Sequence, residues 1–119
     1  MKKINLLILG YSKFVQNRIL NSLKKSNKFN IEICSKSKNN NIIKYNDYNL
    51  AIKSKPDLVY ISLANHLHYK YAKLALNRNL NVIVDKPITA TLKEVKDLIK
   101  IAKKKKVLLA EATLFNFHR

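Results

Sequence analysis

Short runs of Val, Ile, Leu and Tyr alternate along the chain with longer segments whose apolar residues recur every three or four positions. The short runs predict β-strands, and the longer segments predict helices with one buried face. The predicted strands are residues 4–9, 30–35, 42–43, 57–62, 81–85 and 107–110. Strands that alternate with helices predict an α/β fold, namely a doubly wound parallel sheet of five or six strands.

Helical periodicity occurs in four segments. A short helix is predicted at residues 47–53, and longer helices follow the first, fourth and fifth strands. We predict Asn65 to be the N-cap of the third helix, and Thr91 and Glu94 to form a capping box at the start of the fourth. The positions predicted to be buried are Val15, Ile19, Leu23, Leu67, Tyr71, Leu74, Ala75, Val95, Leu98, Ile99 and Ala102.

The strand–helix–strand unit at residues 57–87 carries polar side chains at the ends of its strands. Asn65, His68 and Lys86 follow the carboxyl ends of these strands. Ligands of open α/β sheets bind beyond those ends, where the strand order reverses. A strand order of 3-2-1-4-5-6 would place this crevice between the Gly10 turn and the turn at residues 62–65, and we predict a ligand site there.

The first strand ends at Gly10, and a helical segment follows, as in the first unit of dinucleotide-binding domains. The fingerprint G-x-G-x-x-G is reduced here to its first glycine, because Ser12 and Val15 occupy the other two glycine positions. Gly10 would still make the tight turn, with Ser12, Lys13 and Phe14 following it beside a bound pyrophosphate. The alternative is that Gly10 simply ends a strand.

The end of the second strand lacks an acidic residue. NAD-binding domains place an Asp or Glu there to bind the adenosine ribose, but no acid lies between Glu32 and Asp47. Ser35, Lys36 and Lys38 instead offer a hydroxyl and two cations, which suit a ribose 2′-phosphate. We therefore predict a slight preference for NADP(H) over NAD(H), and an ordinary lysine-rich loop is the alternative.

The length and composition of the chain restrict the class of protein to which it can belong. The 119 residues predict one domain, and a hydrophobic content of 47% excludes a disordered chain. Cys34 is the single cysteine, so no intrachain disulfide can form and a reducing, cytoplasmic location is predicted. No run approaches the roughly 20 apolar residues of a membrane span. No metal site is predicted, because His66 and His68 are two apart on a helix and do not share a face.

The net charge of +17 is compatible with nucleic-acid binding. However, lysine supplies most of the positive charge, and Lys, Asn and Ile, all abundant here, share A/T-rich codons. Genomic bias therefore explains the composition without a polyanionic partner. No helix-turn-helix, zinc or RNA-binding signature is present, so we do not predict a nucleic-acid partner.

Four groups of residues occur in an order and at spacings that resemble one known family. They are Gly10 after the first strand, the strand at 57–62 with Asn65, His66 and His68, then Asp85-Lys86-Pro87, and finally Glu111, Ala112, Phe117 and His118. The pattern resembles the amino-terminal domain of the glucose–fructose oxidoreductase, inositol dehydrogenase and MocA family (Gfo/Idh/MocA). The resemblance implies an NAD(P)-binding Rossmann domain of an oxidoreductase that acts on a sugar, cyclitol or nucleotide-sugar hydroxyl.

The resemblance also implies roles for individual residues. Lys86 takes the place of the lysine in the family's Glu-Lys-Pro motif, near the nicotinamide, where it would stabilise developing alkoxide charge as the catalytic residue. Asp85 replaces the glutamate of that motif, Ala64 stands where Pro is usual, and Asn116 stands where Arg is common in one branch. The predicted cofactor contacts are Gly10, Ser12, Lys13, Phe14, Ser35, Lys36, Leu63, Ala64, Asn65, His68, Asp85, Lys86 and Glu111.

Members of the family continue into a second α/β domain that holds the substrate, and this sequence ends near the point where that domain would begin. We therefore expect no hydride transfer by this chain alone, unless a separate polypeptide supplies the substrate domain, and a truncated gene product is an open alternative. The rival functions are a non-catalytic nucleotide- or partner-binding module, favoured by the weakened glycine motif, and then a basic nucleic-acid binder.

Overall fold

Six parallel strands in the order β3-β2-β1-β4-β5-β6 form the centre of the protein in a computed structural model that describes residues 2–13, 15–36 and 42–112. The strands are β1 (Ile4–Leu9), β2 (Phe29–Cys34), β3 (Ile43–Tyr45), β4 (Leu58–Ile61), β5 (Asn81–Asp85) and β6 (Leu109–Ala112). β1 pairs in parallel with both β2 and β4. The doubly wound sheet and its strand order are thus confirmed.

Helices cover both faces of this sheet. The first helix consists of a π-helical segment, Val15–Ile19, that continues into α1, Leu20–Lys24. The others are α2 (Tyr48–Lys53), α3 (His68–Asn77) and α4 (Leu92–Lys105). None of the helices within the described ranges is long and apolar enough to cross a membrane.

The core lies on both sides of β1. Leu7 and Leu9 join the apolar cluster beneath α2, α3 and α4, whereas Leu6 and Ile8 join the cluster beneath the first helix. Successive side chains of a strand point to opposite faces, so a strand that is apolar throughout belongs at the centre of a covered parallel sheet. The apolar run at residues 6–9 of β1, which is buried throughout, therefore explains the central position of this strand.

The boundary of β6 differs from the prediction. The strand was predicted at residues 107–110, and the structure places it at Leu109–Ala112. Lys106 ends α4 in the left-handed conformation, and the Val107 N–H donates to the Ala102 carbonyl at 3.1 Å. Val107 is thus part of the turn that closes the helix, and this local bonding outweighs its preference for a strand.

Two predictions about the helices were wrong. Asn65 is not an N-cap, because residues 65–67 form a single 3₁₀ turn whose cap position is Ala64, and α3 starts only at His68. Ile99 is 42% exposed because α4 packs through Leu98 and Ala102 on the neighbouring face. In the first helix Val15 and Ile19 are buried as predicted, and Leu23 is partly buried against the same cluster, which Leu20 also joins.

Candidate functional site

Gly10 lies where the carboxyl ends of β1 and β4 meet. Its φ is +111°, and a Cβ added there would lie 2.9 Å from the Ser62 carbonyl carbon and would overlap the carbonyl oxygen. The Gly10 N–H donates to the Cys34 carbonyl, and the Ser62 N–H donates to the Leu9 carbonyl, each at 2.8 Å. The two turns are therefore held against each other, and glycine is the residue that fits this φ and this spacing.

Ser12 caps the first helix. Its Oγ accepts a hydrogen bond from the Val15 N–H at 3.2 Å, and its carbonyl accepts one from the Gln16 N–H at 2.9 Å. Both Ser12 and Lys13 are exposed, and the predicted contact Phe14 lies outside the described residues. The serine in the second glycine position thus serves the helix start, where a hydroxyl satisfies one free backbone donor.

The predicted ribose-binding residues lie at the end of β2. Ser35 is buried, and its N–H donates to the Tyr45 carbonyl at 3.0 Å. Lys36 is exposed, and its Nζ lies 5.3 Å from the centre of the Tyr48 ring. Such an exposed cation–π contact is worth about 0.5–1 kcal/mol, which leaves the ammonium group able to exchange this contact for a bound anion. Lys38 lies outside the described ranges.

Cys34 ends β2 beneath this position and is buried. Burial, with a smaller contribution from the Asp47 carboxylate, raises the pKa of the Cys34 thiol to about 12. We predict that the native protein reacts with a thiol-specific reagent at pH 7–8 at least about a hundredfold more slowly than the urea-unfolded chain, because the thiolate is the nucleophile. Equal rates for the folded and unfolded chains, measured by release of the chromophore, would contradict this.

Asp85 joins the ends of β4 and β5. The Tyr60 hydroxyl donates to Asp85 Oδ1 at 2.5 Å, and the Ser62 hydroxyl donates to Asp85 Oδ2 at 2.7 Å. Burial, followed by the bond to Asp85, raises the pKa of Tyr60, so that its hydroxyl remains protonated and donates. Both carboxylate oxygens therefore already accept hydrogen bonds, from Tyr60 on β4 and from Ser62 directly after it, at the base of the segment that carries Lys86.

Sequence reasoning missed Tyr60 and Ser62. Tyr60 was assigned to an apolar position of the strand at residues 57–62, and Ser62 was assigned to the end of that strand, so neither was given a role in hydrogen bonding. A signal was present, because residues two apart on a strand face the same side, and both carry a hydroxyl. Only the pairing of β4 with β5, however, places Asp85 within reach of both hydroxyls.

Lys86 is exposed in the turn that follows β5, and the Lys86–Pro87 peptide bond is cis. The backbone on its carboxyl side is fixed by two side chains from other elements. The Pro87 carbonyl lies 2.8 Å from His68 Nδ1, and the Ile88 N–H donates to Glu111 Oε2 at 2.9 Å. The lysine predicted to be catalytic thus extends from an anchored turn.

His68 lies at the start of the helix after β4, as predicted, but its side chain does not reach the surface of the crevice. Its side chain is completely buried, and its second ring nitrogen, Nε2, lies 2.9 Å from the Leu63 carbonyl. Because the imidazole has no accessible surface and both of its nitrogens face backbone carbonyls, the geometry does not support the predicted contact with a cofactor. His68 instead connects the turn after β4 with the turn after β5.

The remaining predicted residues lie around the same edge of the sheet. Leu63 packs next to Gly10, its Cδ2 lying 3.4 Å from where a Cβ of residue 10 would be. Ala64 and Asn65 are exposed on the same turn, and Glu111 is exposed on β6 beside the Lys86 turn. Within the described ranges, no group of three or more His, Cys, Asp and Glu side chains is arranged to hold a metal ion.

This sheet order, with a glycine turn where the order reverses, defines the class of dinucleotide-binding Rossmann domains. The sequence profile of the oxidoreductase family GFO_IDH_MocA, described as having an NAD-binding Rossmann fold, matches residues 4–113. The chain belongs to this family, and the predicted resemblance is confirmed.

Curated relatives match about half of the chain. The uncharacterized oxidoreductase YgjR of Escherichia coli (strain K12) is 41% identical over 66 residues, covering 52% of this chain and 20% of the relative. D-xylose 1-dehydrogenase (NADP(+)) 2 of Haloferax volcanii is 37% identical over 62 residues, covering 52% of this chain and 19% of the relative. The matched region therefore spans about a fifth of these proteins.

Solved structures share the fold over nearly the whole chain. D-galactose-1-dehydrogenase from Rhizobium etli superposes with a TM-score of 0.81 at 29% identity, covering 92% of this chain and 37% of that one. Biliverdin reductase from Synechocystis sp. PCC 6803, solved with biliverdin and NADP+, has a TM-score of 0.85 at 21% identity, covering 96% of this chain and 39% of that one. The latter likeness concerns the fold alone.

Proposed function

We propose that this chain binds NADP(H), or NAD(H) less tightly, across the crevice between the β1 and β4 turns. We further propose that it serves hydride transfer between the nicotinamide and a hydroxyl or carbonyl of a sugar, cyclitol or nucleotide sugar. The close approach of Gly10 to the Ser62 carbonyl, in a member of an NAD-binding oxidoreductase family, is the observation that carries the proposal.

The pyrophosphate would lie over Gly10, Ser12 and Lys13, where exposed groups and the start of the first helix meet the carboxyl end of β1. Phe14 remains a predicted contact. Leu63, Ala64 and Asn65 would line the opposite wall of the crevice. Asp85 would contribute to the cofactor site indirectly, because both of its carboxylate oxygens already accept hydrogen bonds, from Tyr60 and Ser62.

The adenosine ribose would lie at the end of β2. No acid follows Glu32 before Asp47 in the sequence, and Lys36 presents a cation at the surface. A ribose 2′-phosphate would find positive charge at this position, in place of the carboxylate that would repel it. The relative from Haloferax volcanii, named as an NADP(+) enzyme, supports this preference.

Lys36→Glu tests the cofactor preference. We expect the affinity for NADPH to fall about ten- to a hundredfold, the effect of losing a charge-assisted contact of about 1.5–3 kcal/mol, and the affinity for NADH to change little. Isothermal titration of both cofactors measures the difference, and Lys93→Glu on the exposed face of α4 controls for net charge. A wild-type protein that binds NADH more tightly than NADPH would overturn the preference.

Lys86 would lie at the reacting end of the cofactor, where its ammonium group would stabilise charge that develops on the substrate oxygen. The substrate would be held by a further domain, in a longer form of this chain or in a separate polypeptide. Two similar proteins named as sugar dehydrogenases, for D-xylose and D-galactose, support a sugar substrate. The single buried thiol supports a reducing, cytoplasmic compartment.

Titration with NADPH, followed by the fluorescence of the dihydronicotinamide, is the experiment that tests the proposal. We expect saturable binding by this chain and substrate-dependent oxidation of NADPH only when a substrate domain is supplied. The second candidate, a non-catalytic nucleotide-binding module, is favoured by Ser12 and Val15 in two glycine positions. It predicts binding without turnover under every condition, and absence of dinucleotide binding would contradict both functions.

A further inference from the structure

The Lys86 turn, defined here as residues 86–88, is held by side chains that come from opposite sides of β5. His68 is the first residue of α3, and it reaches the Pro87 carbonyl from the β4 side. Glu111 lies on β6, the neighbour of β5 on its other side, and its carboxylate accepts the Ile88 N–H. Two consecutive residues of one turn are thus bound by two elements that do not belong to it.

His68 also reaches the other wall of the crevice. Its Nδ1 faces the Pro87 carbonyl and its Nε2 faces the Leu63 carbonyl, at 2.8 and 2.9 Å. A neutral imidazole has one N–H donor, whereas the protonated ring has two, so only the latter donates to both carbonyls. In either form the completely buried ring fixes the spacing between the Leu63 turn and the Lys86 turn, because little space is left for it to move.

Glu111 acts on the same turn from the surface. It pairs in register with Val84 in the sheet, and its side chain extends past the end of β5 to the Ile88 N–H. Glu111 is exposed, so its carboxylate can be changed without opening a cavity. Its contact differs in this respect from that of His68, and the two residues can be tested independently.

We propose that His68 and Glu111 are positioning residues that together fix the Lys86 turn, and through it the ammonium group at the reacting end of the crevice. The proposal rests on the function proposed for Lys86. A side chain that must meet a substrate oxygen loses rate steeply when it is displaced by about 1 Å. Neither anchor needs to contact the cofactor, which agrees with the buried position of His68.

Glu111→Ala and Glu111→Gln are the first test. The alanine variant removes the acceptor of the Ile88 N–H, and the glutamine variant retains an acceptor oxygen while losing the charge. We expect the Ile88 amide to exchange with solvent about tenfold faster in Glu111→Ala, and NADPH affinity to fall severalfold, while the thermal midpoint changes little. Glu111→Gln should restore both the exchange rate and the affinity.

His68→Phe and His68→Gln extend the test to the other anchor. Phenylalanine keeps a flat ring and removes both ring nitrogens, and glutamine keeps one nitrogen that can donate, so we expect NADPH affinity to fall more in the first variant than in the second. The control is His66→Phe, since His66 is exposed in the preceding 3₁₀ turn and should leave affinity unchanged. A His68→Phe protein that fails to fold leaves the decision to the Glu111 pair.

Exchange of the Ile88 amide with solvent is measured without cofactor. The result therefore tests the anchoring of the turn separately from dinucleotide binding. An Ile88 amide that exchanges at the wild-type rate in Glu111→Ala would overturn the proposal, and so would a glutamine variant that behaves like alanine. Faster exchange with unchanged NADPH affinity would also overturn it, because the anchor would then not serve the crevice. A wild-type chain that binds no dinucleotide would refute the proposed function, and the positioning role built on it, by a separate measurement.

Discussion

Gly10→Ala is expected to abolish measurable dinucleotide binding and to lower the free energy of unfolding by about 3 kcal/mol or more. The added Cβ would overlap the Ser62 carbonyl oxygen, and alanine would have to adopt a φ of +111°. Backbone strain of this kind costs about 1–3 kcal/mol, and displacement of the β4 turn adds to it. Urea unfolding and NADPH titration of the same preparations measure the two effects.

Ser12→Ala is the matched control for Gly10, because it lies two residues further along the same turn and is exposed. It removes the bond from the Val15 N–H to the Ser12 hydroxyl and should cost about 1 kcal/mol, with no displacement of β4. A Gly10→Ala protein as stable as the Ser12→Ala protein would show that the Gly10 and Ser62 turns are not in close contact.

The fold could be predicted because its determinants are local and periodic. The apolar run of β1 indicates a strand that is buried on both faces, and the apolar stripe of α3 indicates a helix with one buried face. The alternation of strands and helices restricts the order of the strands. Asp47 shows the same locality, since its carboxylate accepts from the N–H groups of Asn49 and Leu50 and starts α2 where the sequence predicts it. Thr91 likewise accepts from the Glu94 N–H at the start of α4.

The errors occurred at the ends of helices, where the hydrogen bonds of a turn decided the outcome. Asn65 has the residue type of an N-cap, but the Leu67 N–H donates to the Ala64 carbonyl and closes a tighter turn ahead of α3. Val107 has the residue type of a strand, but the end of α4 uses its N–H. Local preferences of well under 1 kcal/mol per residue are easily outweighed by such contacts.

The positions of the site residues could be predicted from the sequence, whereas their bonding partners could not. Gly10, Leu63 and Lys86 were assigned to the carboxyl edge of the sheet, and the structure places all three there. The partners of Asp85 and His68 could not be predicted, because each bond joins residues whose proximity follows from the packed sheet alone. A polar residue in an apolar segment signals only that some partner exists, and the sequence does not state which one.

Lys86→Ala is expected to reduce hydride transfer about a hundred- to a thousandfold once a substrate domain is supplied. That is the typical loss when one group that stabilises developing charge is removed from a reacting centre. NADPH affinity should change less than about tenfold, because the ammonium group would act mainly on the substrate oxygen. Steady-state rates and NADPH titration on the same variant separate the two quantities.

Lys93→Ala is the control for this substitution, since Lys93 is an exposed lysine on α4, which packs beneath the sheet through Leu98 and Ala102. It should leave both the rate and the affinity unchanged. Hydride transfer that survives Lys86→Ala at the wild-type rate would remove Lys86 from the reaction. A loss of NADPH affinity with an unchanged rate at saturating NADPH would place its ammonium group on the cofactor instead, because an interaction made equally before and during the reaction alters binding alone.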